Sequence, residues 1–309
     1  MDIRYLKVTF NLEFIQQTYV DTNPLFIMRS MLGKNLRSMC CISRLSSCTD
    51  CLYSKNCVYS YIFETVLTQD NQTLPGRDKG SHPFSLSVDL YTKKNPITDY
   101  SFNITLFGKA IEYLPYIYAA FVRSGQNGIF KSRSKFEIVK VVANNVNILI
   151  DQDHLNTKVE SHLCIIDDTA AKEYSGEVLI ELKSPLRFKI HGKYTTDFTA
   201  QDFFNCLYRR AKTICSLYGE INEVEMTCKY TAPKCLYITD KKLKWIDFNH
   251  YSSRQKNAIE LGGVIGNFKI KGTFSNFERN LLRINKISGT GKNTNFGLGQ
   301  IDYWEKWEE

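Results

Sequence analysis

"SNFERNLLRINKISGTGKNTNFGLGQIDYW", residues 275–304, reads as a helix, a glycine-rich loop and a strand in succession. Ser275 with Glu278 three residues on forms a capping box, which satisfies the first free amides of a helix and so marks its start. Gly289, Gly291, Gly297 and Gly299 then fall within eleven residues, around Lys292 and Asn293. Glycine accepts positive φ and lets a backbone approach a phosphate or another backbone closely. Neither common nucleotide loop fits: Lys292 is followed by Asn293 with no helix after it, and no strand opens the run into a helix.

Upstream the same alternation continues. GEVLIELKSPLRFKI (176–190) reads as a strand broken by Pro185. FTAQDFFNCLYRRAKTICSLYG (198–219) reads as a helix with Thr199 as N-cap, Asp202 at N3 and Gly219 as C-cap. Phe203, Leu207, Ile214 and Leu217 share its apolar stripe; Arg210 falls inside the stripe, where snorkelling is favoured over gripping a partner. Strands are expected in 224–238, 244–256 and 262–274, giving strand, helix, strands, helix, strand.

The first half repeats that order. MDIRYLKVTFNLEF alternates as a strand with Leu6, Val8 and Phe10 on one side. Asn23 and Pro24 read as N-cap and first helical residue, followed by a stripe of Leu25, Met28, Leu32, Leu36 and Met39, with Lys34 and Arg37 on the opposite, solvated side. Strands are expected in 85–91 and 100–107, a helix in 109–125 with a kink or start at Pro115, and strands in 136–142 and 146–151. The fold class is therefore α+β: two tandem ferredoxin-like (βαββαβ) domains, 1–150 and 174–309, joined by a polar linker.

A net charge of +8 and 13% aromatic residues suit a surface that meets polyanions and stacks on bases, although a lysine-rich protein without such a ligand would show the same balance. No apolar run approaches the roughly eighteen residues of a membrane span and the N-terminus lacks a signal-peptide profile, so a soluble, cytoplasmic protein is expected. Five of the ten cysteines crowd into residues 40–57. Cys41, Cys48, Cys51 and Cys57 offer four thiolates for a structural zinc, with Cys40 as a substitute; reduced, unligated cysteines are the alternative. His82, His154, His162 and His191 have no paired ligand spacing.

FNHYSSRQKNAIELGGVIGNFKIKG followed by GTGKNTNFGLGQI resembles the C-terminal signature of the CRISPR-associated precursor-crRNA processing endoribonucleases of the RAMP superfamily. The matching positions are Tyr251, Ser252, Arg254, Gln255, Gly262, Gly263, Gly266, Gly291, Lys292, Thr294, Phe296, Gly297 and Gly299. Segments such as CTDCLYSKNCVYSYIFET, HPFSLS and LKSPLRFKIHGK are similar to the family's in the same order.

The resemblance implies domains of the RAMP/RRM-like type that hold CRISPR repeat RNA in the cleft between them. It implies a single metal-independent cut, in which the 2′-hydroxyl attacks the adjacent phosphate and leaves a cyclic phosphate, with no cofactor for catalysis. Precursor crRNA is then the partner, with other CRISPR effector or adaptation proteins and no membrane. Many relatives place a histidine in or after the first helix; this chain has none before His82. Lys34, Arg37, His250 and Tyr251 are the catalytic candidates, each with a solvated surface role as its alternative. Arg254, Lys256, Lys292, Asn293 and the loop glycines Gly289, Gly291, Gly297 and Gly299 are the RNA-binding candidates. The rival reading is a RAMP subunit that retains crRNA in an effector complex without cutting it.

Overall fold

The computed structural model describes residues 1–44, 47–67, 79–89, 95–152, 154–166, 172–221, 230–252 and 257–308, with 249–252 and 257–260 known by their backbone pairing. The chain divides into two units, Arg4–Leu163 and Met1–Ile3 with Cys164–Glu309. The division falls between Leu163 and Cys164, within the strand His162–Ile165 and inside the stretch read as a linker from 151 to 173. Met1–Ile3 are held in the second unit by backbone hydrogen bonds: Ile166 donates to Met1, and Asp2 and Glu220 exchange a pair.

The first unit runs β1 (Asp2–Thr18), α1 (Pro24–Cys40), β2 (Phe84–Ser87), β3 (Ile97–Phe107), α2 (Leu114–Asn127), β4 (Phe136–Ala143), β5 (Val146–Asn147), ending at β6 (His162–Ile165). The sheet order β2-β3-β1-β4 with antiparallel neighbours is the ferredoxin arrangement. Alternation along β1 buries Leu6, Val8, Phe10, Leu12 and Phe14, and α1 lays Leu25, Met28, Leu32 and Leu36 into the same core. Asn23 caps α1 by accepting from the Leu25 amide at 3.0 Å, with Pro24 opening the helix. Met39 is exposed, so the stripe ends one turn earlier than expected. Phe10, Phe102 and Phe121 form a ring cluster at 5.1–5.4 Å, each such pair adding about 0.5–1.5 kcal/mol beyond its buried area. After β4 the chain turns through Asn144 and Asn145, both at positive φ, into a strand of two residues; the strand expected over 146–151 is correspondingly short.

The second unit repeats the order: β7 (Glu173–Leu186), the hairpin β8 (Lys189–Ile190) and β9 (Lys193–Tyr194), α3 (Ala200–Tyr218), β10 (Tyr237–Ile246), the hairpin β11 (Asn249–Ser252) and β12 (Asn257–Glu260), β13 (Gly263–Ser275), α4 (Asn276–Ser288) and β14 (Ile301–Trp307). Its sheet, β10-β13-β7-β14, has the same strand order as the first. Both capping boxes are formed, Thr199 with Asp202 on α3 and Ser275 with Glu278 on α4. Of the strand expected over 224–238, residues 224–229 lie outside the described residues, and within 230–238 the strand starts at Tyr237. Pro233 has no amide to pair, and its carbonyl accepts from Leu236 and from the Gln201 side chain. The last strand begins at Ile301, after Gly297 and Gly299, which take positive φ.

One buried asparagine ties the two helices in each unit. Asn35 of α1 donates to the Ala120 carbonyl and Ser124 hydroxyl of α2 at 3.0 and 2.9 Å. Asn285 of α4 donates to the Leu207 carbonyl of α3 at 3.0 Å. No helix among the described residues is long and apolar enough to cross a membrane. Replacing Asn35 or Asn285 by alanine strands buried acceptors and is expected to lower unfolding free energy by about 1–3 kcal/mol. Urea denaturation reads this directly, and an unshifted midpoint in both variants contradicts the assignment.

Candidate nucleic-acid interface

The glycine-rich loop after α4 is built against the end of β7. Thr290 donates to the Gly299 carbonyl at 2.8 Å, Lys292 to Arg187 at 2.8 Å and Gly299 to Pro185 at 2.9 Å. A Cβ on Gly299 would lie 1.8 Å from the Thr290 carbonyl oxygen, and one on Gly291 would lie 2.5 Å from that of Arg187. The glycines therefore serve the protein's own backbone. Gly289, Gly297 and Gly299 are buried, so the expectation that all four press on RNA gives way to a narrower one: Gly291, Lys292 and Asn293 reach the surface, with Lys292 exposed. Asn293 sits at φ 64°, a left-handed conformation that asparagine tolerates.

From beneath, α3 fastens the loop. The Cys206 thiol meets the Thr290 hydroxyl at 3.7 Å, and burial pushes that thiol up despite the hydrogen bond. Arg210 does not snorkel: it is buried and donates to the Ser288 carbonyl at 3.2 Å, and desolvation lowers its pKa to about 10, leaving it charged at neutral pH.

Beside the loop lies a cationic and aromatic platform in the LKSPLRFKIHGK segment quoted above for its family likeness, whose Arg187, Lys189 and Tyr194 were not among the RNA-binding candidates. The Arg187 guanidinium stands 4.3 Å over the Tyr194 ring and donates to the Gly262 carbonyl at 2.8 Å, while the Lys189 ammonium stands 5.1 Å from the same ring. Tyr194 meets Trp245 with centroids 6.0 Å apart, and Gly262 fits under Trp245, where a Cβ would come within 2.8 Å of the indole. Lys189, Lys193 and the hairpin tip, His191 and Gly192 at φ 48° and 83°, are exposed. The signal was the alternation of cations with tyrosine in RFKIHGKY; two-residue strands around a primed turn are too short to show periodicity.

His250 and Tyr251 pair with Ile259 and Ala258 across β11 and β12. Arg254 and Lys256 lie in 253–256, outside the described residues. In the first unit Lys34 and Arg37 are exposed on α1 as expected, and Arg37 stands 6.0 Å over the Tyr59 ring. Tyr59 donates to Glu64 at 2.9 Å, and burial with that carboxylate drives its phenol well above the ordinary range.

Among the described residues no group of three or more histidine, cysteine or acidic side chains is arranged to hold a metal. The Cys51 thiol meets the Ser43 hydroxyl at 3.2 Å, and the Cys48 thiol neighbours those of Cys57 and Cys41. Burial first, then neighbouring acidic groups, raises the Cys48 thiol, which favours its protonated form.

The AF_1859_N N-terminal domain model matches residues 3–162, and the model of the CRISPR-associated endoribonuclease Cas6 matches residues 180–301. No curated protein matches at the sequence level. Among solved structures, a Cas6 product complex is 12% identical with a TM-score of 0.54, covering 97% of this chain and 100% of that one. Thermus thermophilus Cas6 is 11% identical with a TM-score of 0.52, covering 98% and 99%. A chain of a partial Cas6-RT-Cas1–Cas2 complex is 13% identical with a TM-score of 0.52, over 99% of this chain and 46% of that one. These likenesses are of fold.

The two positive-φ glycines with opposite surroundings separate strain from contact. Gly192→Ala has nothing within 4 Å of its new Cβ and carries only the left-handed penalty, about 1–2 kcal/mol. Gly299→Ala adds a backbone collision and is expected to lower the thermal midpoint distinctly more. Equal shifts in the two variants contradict the clasp.

Proposed function

We propose that the chain, whose residues 180–301 match the Cas6 endoribonuclease model, is a Cas6-type enzyme that binds CRISPR repeat RNA and cuts precursor crRNA once, without metal. The 2′-hydroxyl attacks the adjacent phosphorus, the 5′ oxygen departs and the upstream fragment ends in a 2′,3′-cyclic phosphate. Such a reaction needs no bound cofactor: it needs a base, cations around the phosphorane and an RNA held so that hydroxyl, phosphorus and leaving oxygen line up.

The observation that carries this reading is the clasp of the glycine-rich loop onto β7. It sets Lys292, on the loop, next to Arg187, whose carbonyl accepts the Lys292 amide. Arg187, Lys189 and Tyr194 supply the charge and ring face that single-stranded RNA uses for backbone contact and stacking. Lys34 and Arg37 on α1, with His250 and Tyr251 on β11, are the groups proposed to serve the chemistry. Cas6 occurs in a complex named with Cas1 and Cas2, and association with adaptation proteins is proposed on that analogy. The absence of any histidine before His82 favours the second reading, a subunit that retains crRNA without cutting it.

Incubation of the purified protein with repeat RNA in EDTA separates the two. A single cut whose upstream fragment carries a cyclic phosphate is expected; tight binding with no cut supports the retaining subunit, and a cut abolished by EDTA overturns the metal-free reaction. Lys292→Ala is expected to weaken binding and to reduce the slope of log K against log salt by about one unit. An unchanged slope removes Lys292 from the phosphate contacts.

A further inference from the structure

Edge strands decide what a sheet can pair with next, because one row of their amides and carbonyls points away from the sheet. In the two sheets, β2, β5 and β6 span only four, two and four residues. β10 is longer, but it is bulged between Thr239 and Lys242 and carries exposed Lys241, Lys242 and Lys244, devices that deter further pairing. β14 has no bulge. Ile301–Trp307 pair in unbroken register with β7, from Leu182 to Gly176, and among the described residues no strand lies on the other side.

The backbone of β14 alternates in a way that fixes its outward row. The Gln300 carbonyl accepts from the Lys183 amide, so Asp302, Trp304 and Lys306 also turn their backbone groups to β7. Ile301, Tyr303, Glu305 and Trp307 turn theirs outward. In keeping with this, the Tyr303 amide donates to the Asp302 carboxylate at 2.9 Å instead of to a strand. The side chains of Tyr303 and Glu305 meet Lys286 and Arg279 of α4, which leaves Asp302, Trp304 and Lys306 on the opposite face of the strand. Trp304 is 51% exposed, Lys306 is exposed, and Asp302 is half-buried, reaching Lys286 at 2.5 Å.

We propose that β14 pairs antiparallel with β14 of a second copy of this chain, about a two-fold axis at Trp304. The strand is complementary to itself in that register. Asp302 stands opposite Lys306 of the second copy, Lys306 opposite its Asp302, and the two Trp304 side chains meet at the axis. On the other face Ile301 stands opposite Trp307. Backbone parity agrees: Tyr303 opposes Glu305, both outward-turned, so they exchange hydrogen bonds once Asp302 releases the Tyr303 amide. Trp304 then falls in a non-hydrogen-bonded pair, where opposed side chains approach most closely. A slip of two residues sets Trp304 against Asp302 or Lys306 and separates the charges; a slip of one breaks the backbone parity. A two-fold contact of this kind uses the same edge on both copies, so assembly stops at the dimer.

The test is sedimentation velocity of the full chain, freed of nucleic acid, over a range of concentrations. The wild type is expected to be a dimer. Trp304→Lys sets two like charges at the axis and is expected to give a monomer with the circular dichroism of the wild type, since that side chain is half exposed. Lys306→Asp opposes acid to acid twice and is expected to weaken the dimer roughly tenfold or more. Adding Asp302→Lys to it reverses both pairs and is expected to restore the dimer, which a folding defect would not allow. A wild type that stays monomeric at every concentration overturns the proposal. So does a dimer that Lys306→Asp leaves as tight as before, or one that the double exchange fails to restore.

Discussion

The second unit turns on a backbone contact that admits no side chain. Where the loop after α4 crosses the end of β7, amides from Thr290, Lys292 and Gly299 are spent on carbonyls of Gly299, Arg187 and Pro185. The approach leaves no space for Cβ atoms at Gly291 and Gly299. Because β14 pairs with β7 directly afterwards, from Ile301 opposite Leu182, the clasp fixes where the last strand enters the sheet. It also fixes which residue stands at the tip, and that residue is Lys292. Structure and candidate site thus share one constraint: the glycines shape the loop, and Lys292 is the charge it displays.

Cations in this protein are placed by what they lie on as much as by where they point. Arg187 over Tyr194 and Arg29 over Phe63 are each held against a ring face, which costs less desolvation than a buried ion pair. Arg210 shows the contrasting use: buried, it spends a donor on the Ser288 carbonyl and reinforces the helix end from which the loop departs.

Much of this was legible in the sequence where local chemistry decides the outcome. Asn23 with Pro24, Thr199 with Asp202 and Ser275 with Glu278 each marked a helix start, and alternation from Leu6 to Phe14 gave the buried face of β1. The repeated element order gave both ferredoxin-like sheets. What stayed hidden depends on partners distant in the chain. The glycines of the loop looked available to a ligand until Pro185 and Arg187, over a hundred residues earlier, were found beneath them. Spacing alone did not show which thiols meet: Cys48 neighbours Cys57 and Cys41, while Cys51 meets Ser43.

The account predicts that the attacking group belongs to the RNA and not to water activated by a metal. The most direct measurement is single-turnover cleavage of repeat RNAs that differ by one 2′-deoxy substitution, scanned across the cut. Loss of cleavage at the one nucleotide upstream of the scissile phosphate, with binding retained and neighbouring substitutions tolerated, is the predicted result. Continued cutting of that deoxy substrate at the normal position would contradict it.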